Sequence, residues 1–336
     1  MDLRQQIIDL WQACFGDTEE FVQLYFSTKY SDENTLAIIE DDKVLSALQI
    51  LPYTMTCWGK KYRASYISGA STWPEYREKG LMSRLIREAF ITMRNREIPF
   101  SFLIPAEEWL YDYYAKSGYA PVFRKACEVY RDILPADFNV CGNTIGEYYA
   151  YFSSRIGERT CCIQHSLDDF KVILQELELA GGKVIAVHNN EKRIRGLAFA
   201  LFYNNRILVK DWFYDDIAAR NELLQLIRRE FPKGDIFCDI PATVENNGYK
   251  RGMLRIVNVR RILHGYAKAF PQVKHVWRII DDIIPQNNGI YFISNGKCMQ
   301  RPDDDKFNTD DIYTVSELAI RLFPISDPPF LSLMLD

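Results

Sequence analysis

Gly80 stands between a charged turn, Arg77-Glu78-Lys79, and an apolar-striped run that begins at Leu81. Met82, Leu85, Ile86, Ala89, Phe90 and Met93 recur at the spacing of one helix face, while Arg84, Arg87 and Glu88 fall off it. A glycine at such a helix entry lets the backbone turn sharply and approach a ligand with no Cβ in the way. The free N–H groups between Glu78 and Ser83 would then face an anion, with the helix dipole behind them. Arg77 and Lys79 add positive charge at the same spot. The plainer reading is a strand–loop–helix connection that happens to hold a glycine.

A second constellation lies about 35 residues further on, in Leu103 to Val122. A strand is stopped by Pro105, a helix follows, and Tyr114 precedes Gly118 and Tyr119 in the pattern Y-x-x-x-G-Y. With 20 tyrosines in the chain, one helical tyrosine is most simply a core or surface filler. Other chemistry is not indicated. The chain has no G-x-x-x-x-G-K-[ST] and no G-x-G-x-x-G, so neither a P-loop nor a dinucleotide turn is expected. It also lacks H-E-x-x-H and C-x-x-C, and its four histidines are scattered, so no metal is expected.

The elements that must position these residues can be read from periodicity. Residues 3–14 predict a helix through Leu3, Ile7, Leu10, Trp11 and Cys14, and Asp17 with Glu20 predicts a capping box for the next helix. Three strands follow, over Thr35–Glu40, Lys43–Trp58 and Tyr62–Thr72, then the Gly80 helix, a strand to Ile104, the Tyr114 helix and a strand from Ala120. From about 135 to 248 the order partly recurs, as a degenerate internal repeat, but "DDIAARNELLQ" offers no glycine where the turn must tighten. From about 249 the character changes, with a helix expected at 273–282, strands at Gly289–Ser294 and Lys297–Arg301, and an acidic turn at Asp303–Asp305. A helix "TVSELAIRLF" and an apolar tail "PPFLSLMLD" close the chain.

The bulk composition sets outer bounds. At 336 residues, 48% hydrophobic and 26% charged, the chain suits two or three globular domains. A net charge of −4 without a Lys/Arg block argues against nucleic acid. Eight cysteines without paired spacing read as reduced, mostly buried thiols, which fits a cytoplasmic protein. No run approaches a membrane span, and the start "MDLRQQIIDLW" does not read as a signal peptide.

Together the two constellations resemble the GNAT acetyltransferases. Arg77-x-x-Gly80 is similar to the first part of their R/Q-x-x-G-x-G/A pyrophosphate loop, and Tyr114-x-x-x-Gly118-Tyr119 to their Y-x-x-x-G-F element. Met82 stands where most members have Gly or Ala. The whole chain resembles the Eis-type subfamily, with "STWPEYREKGLM" and "LIPAEEWLYDYY" the stretches that look most like it.

That resemblance implies a layered α/β fold. A catalytic GNAT domain (1–134) precedes a degenerate GNAT-like domain without the cofactor loop (135–248) and a small sterol-carrier-like domain (249–336). It implies acetyl-CoA as cosubstrate, held by the strand end at Ala70 and Thr72 and by Arg77, Glu78, Lys79, Gly80, Leu81, Met82 and Ser83. It gives Tyr114 as proton donor to the leaving thiolate, a phenol of pKa ~10 beside a thiol of ~8.5. The terminal carboxylate of Asp336 would be a second catalytic group, orienting Tyr114 and the amine. A small-molecule amine, polyamine- or aminoglycoside-like, would be the acceptor. The oligomeric state stays open, a homo-oligomer included. The rival reading is a non-catalytic binder of an acyl or apolar ligand.

Overall fold

A computed structural model describes residues 2–136, 142–246, 248–302, 309 and 311–335. In chain order the first elements are helices α1 (Leu3–Phe15) and α2 (Glu19–Thr28) and strands β1 (Thr35–Glu40), β2 (Lys43–Cys57) and β3 (Lys60–Thr72). Helix α3 (Leu81–Asn95), β4 (Phe100–Leu103), α4 (Glu108–Ala115) and β5 (Ala120–Tyr130) follow. The middle of the chain holds α5 (Ile145–Gly157), β6 (Cys161–Gln164), α6 (Leu167–Leu179), β7 (Lys183–His188), β8 (Ile194–Tyr203), β9 (Arg206–Tyr214), α7 (Ile217–Glu230) and β10 (Asp235–Pro241). The last part is β11 (Tyr249–Ile256), α8 (Val259–Ala269), β12 (His275–Ile280), β13 (Gly289–Ser294), β14 (Lys297–Arg301), β15 (Ile312–Thr314) and α9 (Val315–Leu322).

Contacts gather the chain into two compact units, residues 1–123 with 251–327 and residues 124–250 with 328–336. In the first, the main sheet runs β1-β2-β3-β4-β11, antiparallel except for the parallel β3–β4 pair, and α3 connects those two strands. In the second, the order is β7-β8-β9-β10-β5, antiparallel except for the parallel β9–β10 pair, which α7 connects. The main sheets of the two units thus share one strand arrangement. What no local pattern announces is the exchange of closing strands. Residues 251–256 of β11 complete the first unit's sheet, and residues 125–130 of β5 complete the second's. A separate small sheet, β14-β13-β12-β15, also belongs to the first unit.

Helix α3 forms as its stripe predicts, with Leu85, Ile86, Ala89, Phe90 and Met93 fully buried. Leu85, Ile86, Phe90 and Met93 each contribute about 1.5–3 kcal/mol of hydrophobic stabilisation. Two local readings need correction. The predicted helix at 273–282 is mostly strand β12. There Trp277 and Ile279 turn into the core while Val276 and Ile280 turn outward, a period of two that a short apolar run conceals. The cap of α2 is Thr18, whose side chain accepts from the Phe21 amide, while Asp17 instead accepts from the Trp11 indole N–H at 2.8 Å. The acidic turn at Asp303–Asp305 lies outside the described residues. The seven cysteines among the described residues form no disulfide, and no helix among the described residues is long and apolar enough to cross a membrane.

The apolar tail is seated in the second unit. The Phe330 amide donates to the Cys161 carbonyl at 2.8 Å, and its own carbonyl accepts from the Ile163 amide at 3.0 Å. Phe330 and Leu333 join the core around Phe152, Phe170 and Phe199. The Ser332 hydroxyl donates to Asp211 at 2.8 Å, and the other oxygen of that buried carboxylate meets the buried Lys125 ammonium at 3.0 Å. Burial pushes the Asp211 carboxyl up, and Lys125 and Ser332 offset that rise only in part. Asp336, the group expected to orient Tyr114, lies outside the described residues.

Candidate active site

Strands β3 and β4 pair only through Ala64–Phe100, Ser65–Ser101 and Tyr66–Phe102. Past that point β3 runs on to Thr72 without β4, and β4 ends at Leu103. On its other side β3 stays with β2, but the register slips at Gly69–Ala70, where Ala47 faces Ser71 and Gln49 faces Ser68. Such a bulge twists and re-aims the strand end. The sheet thus opens between two parallel strands and leaves the backbone of Ala70–Thr72 along the gap.

The chain then turns through a short 3-10 segment (Pro74–Tyr76) into α3. Gly80 caps the helix in the left-handed region, φ 76°, and a Cβ built there would meet nothing within 4 Å. The space in front of Gly80 is open, and a side chain would occupy it. Glu78 is also left-handed, φ 62°, an uncommon conformation for a residue with a Cβ and one that clusters at functional turns. The Gly80 carbonyl accepts the first intrahelical bond, from the Arg84 amide at 3.0 Å. The amides of Leu81, Met82 and Ser83 are therefore the first-turn donors that the helix itself cannot use. No side chain caps this end and no acid lies in the first turn. The corresponding helix of the second unit differs at its cap. Asp216 caps α7 and its carboxylate accepts from the Ala219 amide at 2.7 Å, so a negative charge already occupies that end.

Arg77 acts as a clamp. Its Nε donates to the Thr72 carbonyl at 3.2 Å and its Nη2 to Cys14 Sγ at 3.7 Å, tying the strand end to the last turn of α1. The Lys79 ammonium lies 4.7 Å from the centre of the Tyr76 ring, where a cation is favoured by the ring face.

Tyr114 comes from α4 and is nearly buried, 9% exposed, with Tyr113 and Tyr119 rings 5.3 and 6.0 Å from its own. Burial, and to a lesser degree Tyr113, pushes its phenol above the ordinary range, so it keeps its proton. Tyr113 reaches across to α3, its hydroxyl 3.2 Å from the Ser83 hydroxyl. Tyr119 is a core residue whose hydroxyl pairs with Ser101 Oγ at 2.6 Å.

Gly118 has a reason of its own. At φ 79° its absent Cβ leaves room for Arg255, whose Nη1 would lie 1.9 Å from that Cβ. Arg255 is fully buried on β11 and donates to the Ser117 carbonyl at 2.6 Å. It also makes two bonds to Asp281, at 2.8 and 2.9 Å, and lies 4.3 Å from the Phe90 ring centre of α3. One guanidinium thus holds the turn after the Tyr114 helix and braces the helix entered at Gly80.

These pieces enclose a cleft of about 610 Å³, within the first unit. Of the residues singled out in the sequence, Ala70, Thr72, Arg77, Glu78, Gly80, Leu81, Met82, Ser83 and Tyr114 line it. Lys79 does not, and Asp336 lies outside the described residues. Met82, at the position of the usual small residue, is half-buried on the cleft wall. Sequence reading missed Cys14 and Phe15 at the end of α1, and Tyr76, Trp109 and Tyr113. In sequence Cys14 is the last residue of the stripe Leu3, Ile7, Leu10 and Trp11, and no spacing signal links α1 to the Gly80 loop.

Residues 2–122 match the family model of an acetyltransferase (GNAT) domain. No curated protein matches the chain by sequence. Among solved structures, a conserved protein of Enterococcus faecalis superposes with a TM-score of 0.73 at 14% identity, over 98% of this chain and 96% of that one. A GCN5-related N-acetyltransferase of Anabaena variabilis gives 0.71 at 18% identity over 97% and 96%. Eis1 of Mycobacterium abscessus gives 0.72 at 11% identity over 95% and 87%. At these identities the likeness is one of fold, and it spans nearly the whole chain.

Proposed function

We propose that this chain is a cytoplasmic acyltransferase that moves an acetyl group from acetyl-CoA to the amine of a small-molecule acceptor. The observation that supports it most is the conjunction, in one cleft, of an uncapped helix N-terminus at Gly80 and a buried, protonated Tyr114. The GNAT match over residues 2–122 covers both. A plain strand–loop–helix connection has no need to bring the uncapped first turn of α3 and a proton donor into the lining of one cavity.

Acetyl-CoA would supply an activated thioester whose cleavage releases a thiol. The amides of Leu81, Met82 and Ser83 would hold its pyrophosphate, in the space that Gly80 leaves open. The backbone of Ala70–Thr72 would pair with the pantetheine arm along the opened sheet. The neutral amine's lone pair forms a C–N bond at the acyl carbon as the C–S bond breaks, and Tyr114 gives its proton to the departing sulfur. The proton shed by the acylated nitrogen passes to water, from which Tyr114 is reprotonated. In this proposal the terminal carboxylate of Asp336 orients the amine. A chain lacking Leu335 and Asp336 is expected to lose turnover while it stays folded and keeps its CoA affinity. Unimpaired turnover in the truncated chain would remove that carboxylate from the mechanism. The blocks 1–134, 135–248 and 249–336 are proposed as units of descent, the third sterol-carrier-like.

The donor site has its own test. CoA is expected to raise the melting temperature by mass action, by about 2.7 kcal/mol of stabilisation at 100 times its Kd. Gly80→Val places a branched side chain in that open space at a positive φ and should abolish that shift while the chain stays folded. A variant that keeps the full shift would move the donor site elsewhere. Thiol release measured against a panel of amines tests the reaction. CoA binding without thiol release for any amine would favour the non-catalytic binder.

A further inference from the structure

Trp109 is 60% exposed, although it is the largest kind of apolar side chain and lies on the wall of the cleft. Its orientation is nevertheless fixed. The indole N–H donates to Glu107 Oε2 at 2.6 Å, so the one polar atom of the ring is already engaged. Tyr113 stands edge-on behind it, centroids 6.4 Å apart and planes at 69°. The Tyr113 hydroxyl is in turn bonded to Ser83, in the first turn of α3. An aromatic surface of set orientation therefore continues directly from the turn proposed to hold the pyrophosphate.

Resting on the acyl-CoA reading, we propose that Trp109 is the platform on which the purine base of the donor stacks. The cleft would thereby select donors that carry a nucleotide over donors that carry only phosphopantetheine. The chemistry of the wall favours this occupant. A large exposed indole gains most by covering with another flat ring, and stacking needs no hydrogen-bond code. The Glu107 carboxylate beside it suits an uncharged base and disfavours a phosphate at that place.

Steady-state kinetics with two donors, acetyl-CoA and S-acetyl-4′-phosphopantetheine, on the full chain provide the test. Trp109→Ala should raise the KM for acetyl-CoA about tenfold, the scale of one base–aromatic stack. The KM for the shorter donor should not move, and Trp109→Phe should keep most of the discrimination. Because the side chain is exposed, the variants should melt with the native protein. An equal loss for both donors, or a rise in the acceptor's KM instead, would overturn the proposal. So would discrimination erased by Lys79→Ala and untouched by Trp109→Ala, which would put the base over Tyr76. Failure of both donors to support turnover or to shift the native protein's melting temperature would instead overturn the acyl-CoA reading, and this one with it.

Discussion

Tyr114→Phe is expected to lower turnover by about 10²–10⁴-fold, the usual cost of losing a general acid, while CoA affinity stays close to that of the native chain. The substitution keeps the ring, and the ring is what packs. Tyr114 is 9% exposed and sits edge-on to both Tyr113 and Tyr119. What is removed is a hydroxyl on the cleft wall. Burial raises the phenol above its ordinary value, so it is neutral throughout the range in which a protein of this kind works. A raised value makes it a weaker acid, and transfer therefore has to accompany charge building on the sulfur. The sign is clear for the pH profile: Tyr114 contributes no basic limb below its ordinary pKa of about 10. Tyr111→Phe, on the same helix, is the control for ring packing, and Tyr113→Phe tests the Ser83 bond separately. Native turnover in Tyr114→Phe would return this residue to the part of a helix filler.

The two halves of the site differ in how openly the sequence shows them. The Gly80 loop is local. Its strand, turn, glycine and stripe lie within about 30 residues, and each constrains its neighbours, so the structure repeats the reading almost element by element. The Tyr114 half is local only in part. Its tyrosine and glycine can be seen, but the reason for the glycine is Arg255, 138 residues from the Ser117 carbonyl it holds. Nothing in "GMLRIVNV" marks that arginine as a buried brace, since burial of a charge depends on the partner it finds in space. Strand exchange is hidden for the same reason. A strand's pattern shows which face is apolar, and not which sheet it will join. At Asp216 the failure is smaller. The missing glycine in the second repeat was evident, while the carboxylate that closes the helix end shows its part only once the helix boundary is known.

Arg255→Met is expected to destabilise the protein by about 3–5 kcal/mol, the range for breaking a buried pair from one side. The loss comes less from the missing bonds than from the Asp281 carboxylate left behind, 2% exposed and without its cation. That carboxylate keeps three other donors, the amides of Ile283 and Ile284 at 3.0 Å and the Asn287 amide group at 2.8 Å. They solvate the charge in part and place the effect toward the low end. Adding Asp281→Asn should then recover much of the loss, because the neutral amide oxygen still accepts from the backbone and no buried charge remains. Urea unfolding of the single and double variants measures both terms, and a midpoint shift worth less than about 1 kcal/mol in the single variant would refute the argument, since buried pairs broken from one side cost more. The same arginine also fixes the Ser117 carbonyl just after α4, so turnover should fall in the double variant even where stability has returned. Gly118→Ala reaches that state from the other side, by driving a methyl group into the guanidinium at a backbone angle that disfavours alanine. If Gly118→Ala and the double variant both kept native turnover, the brace would serve the fold alone and the placement of Tyr114 would rest on its own ring contacts.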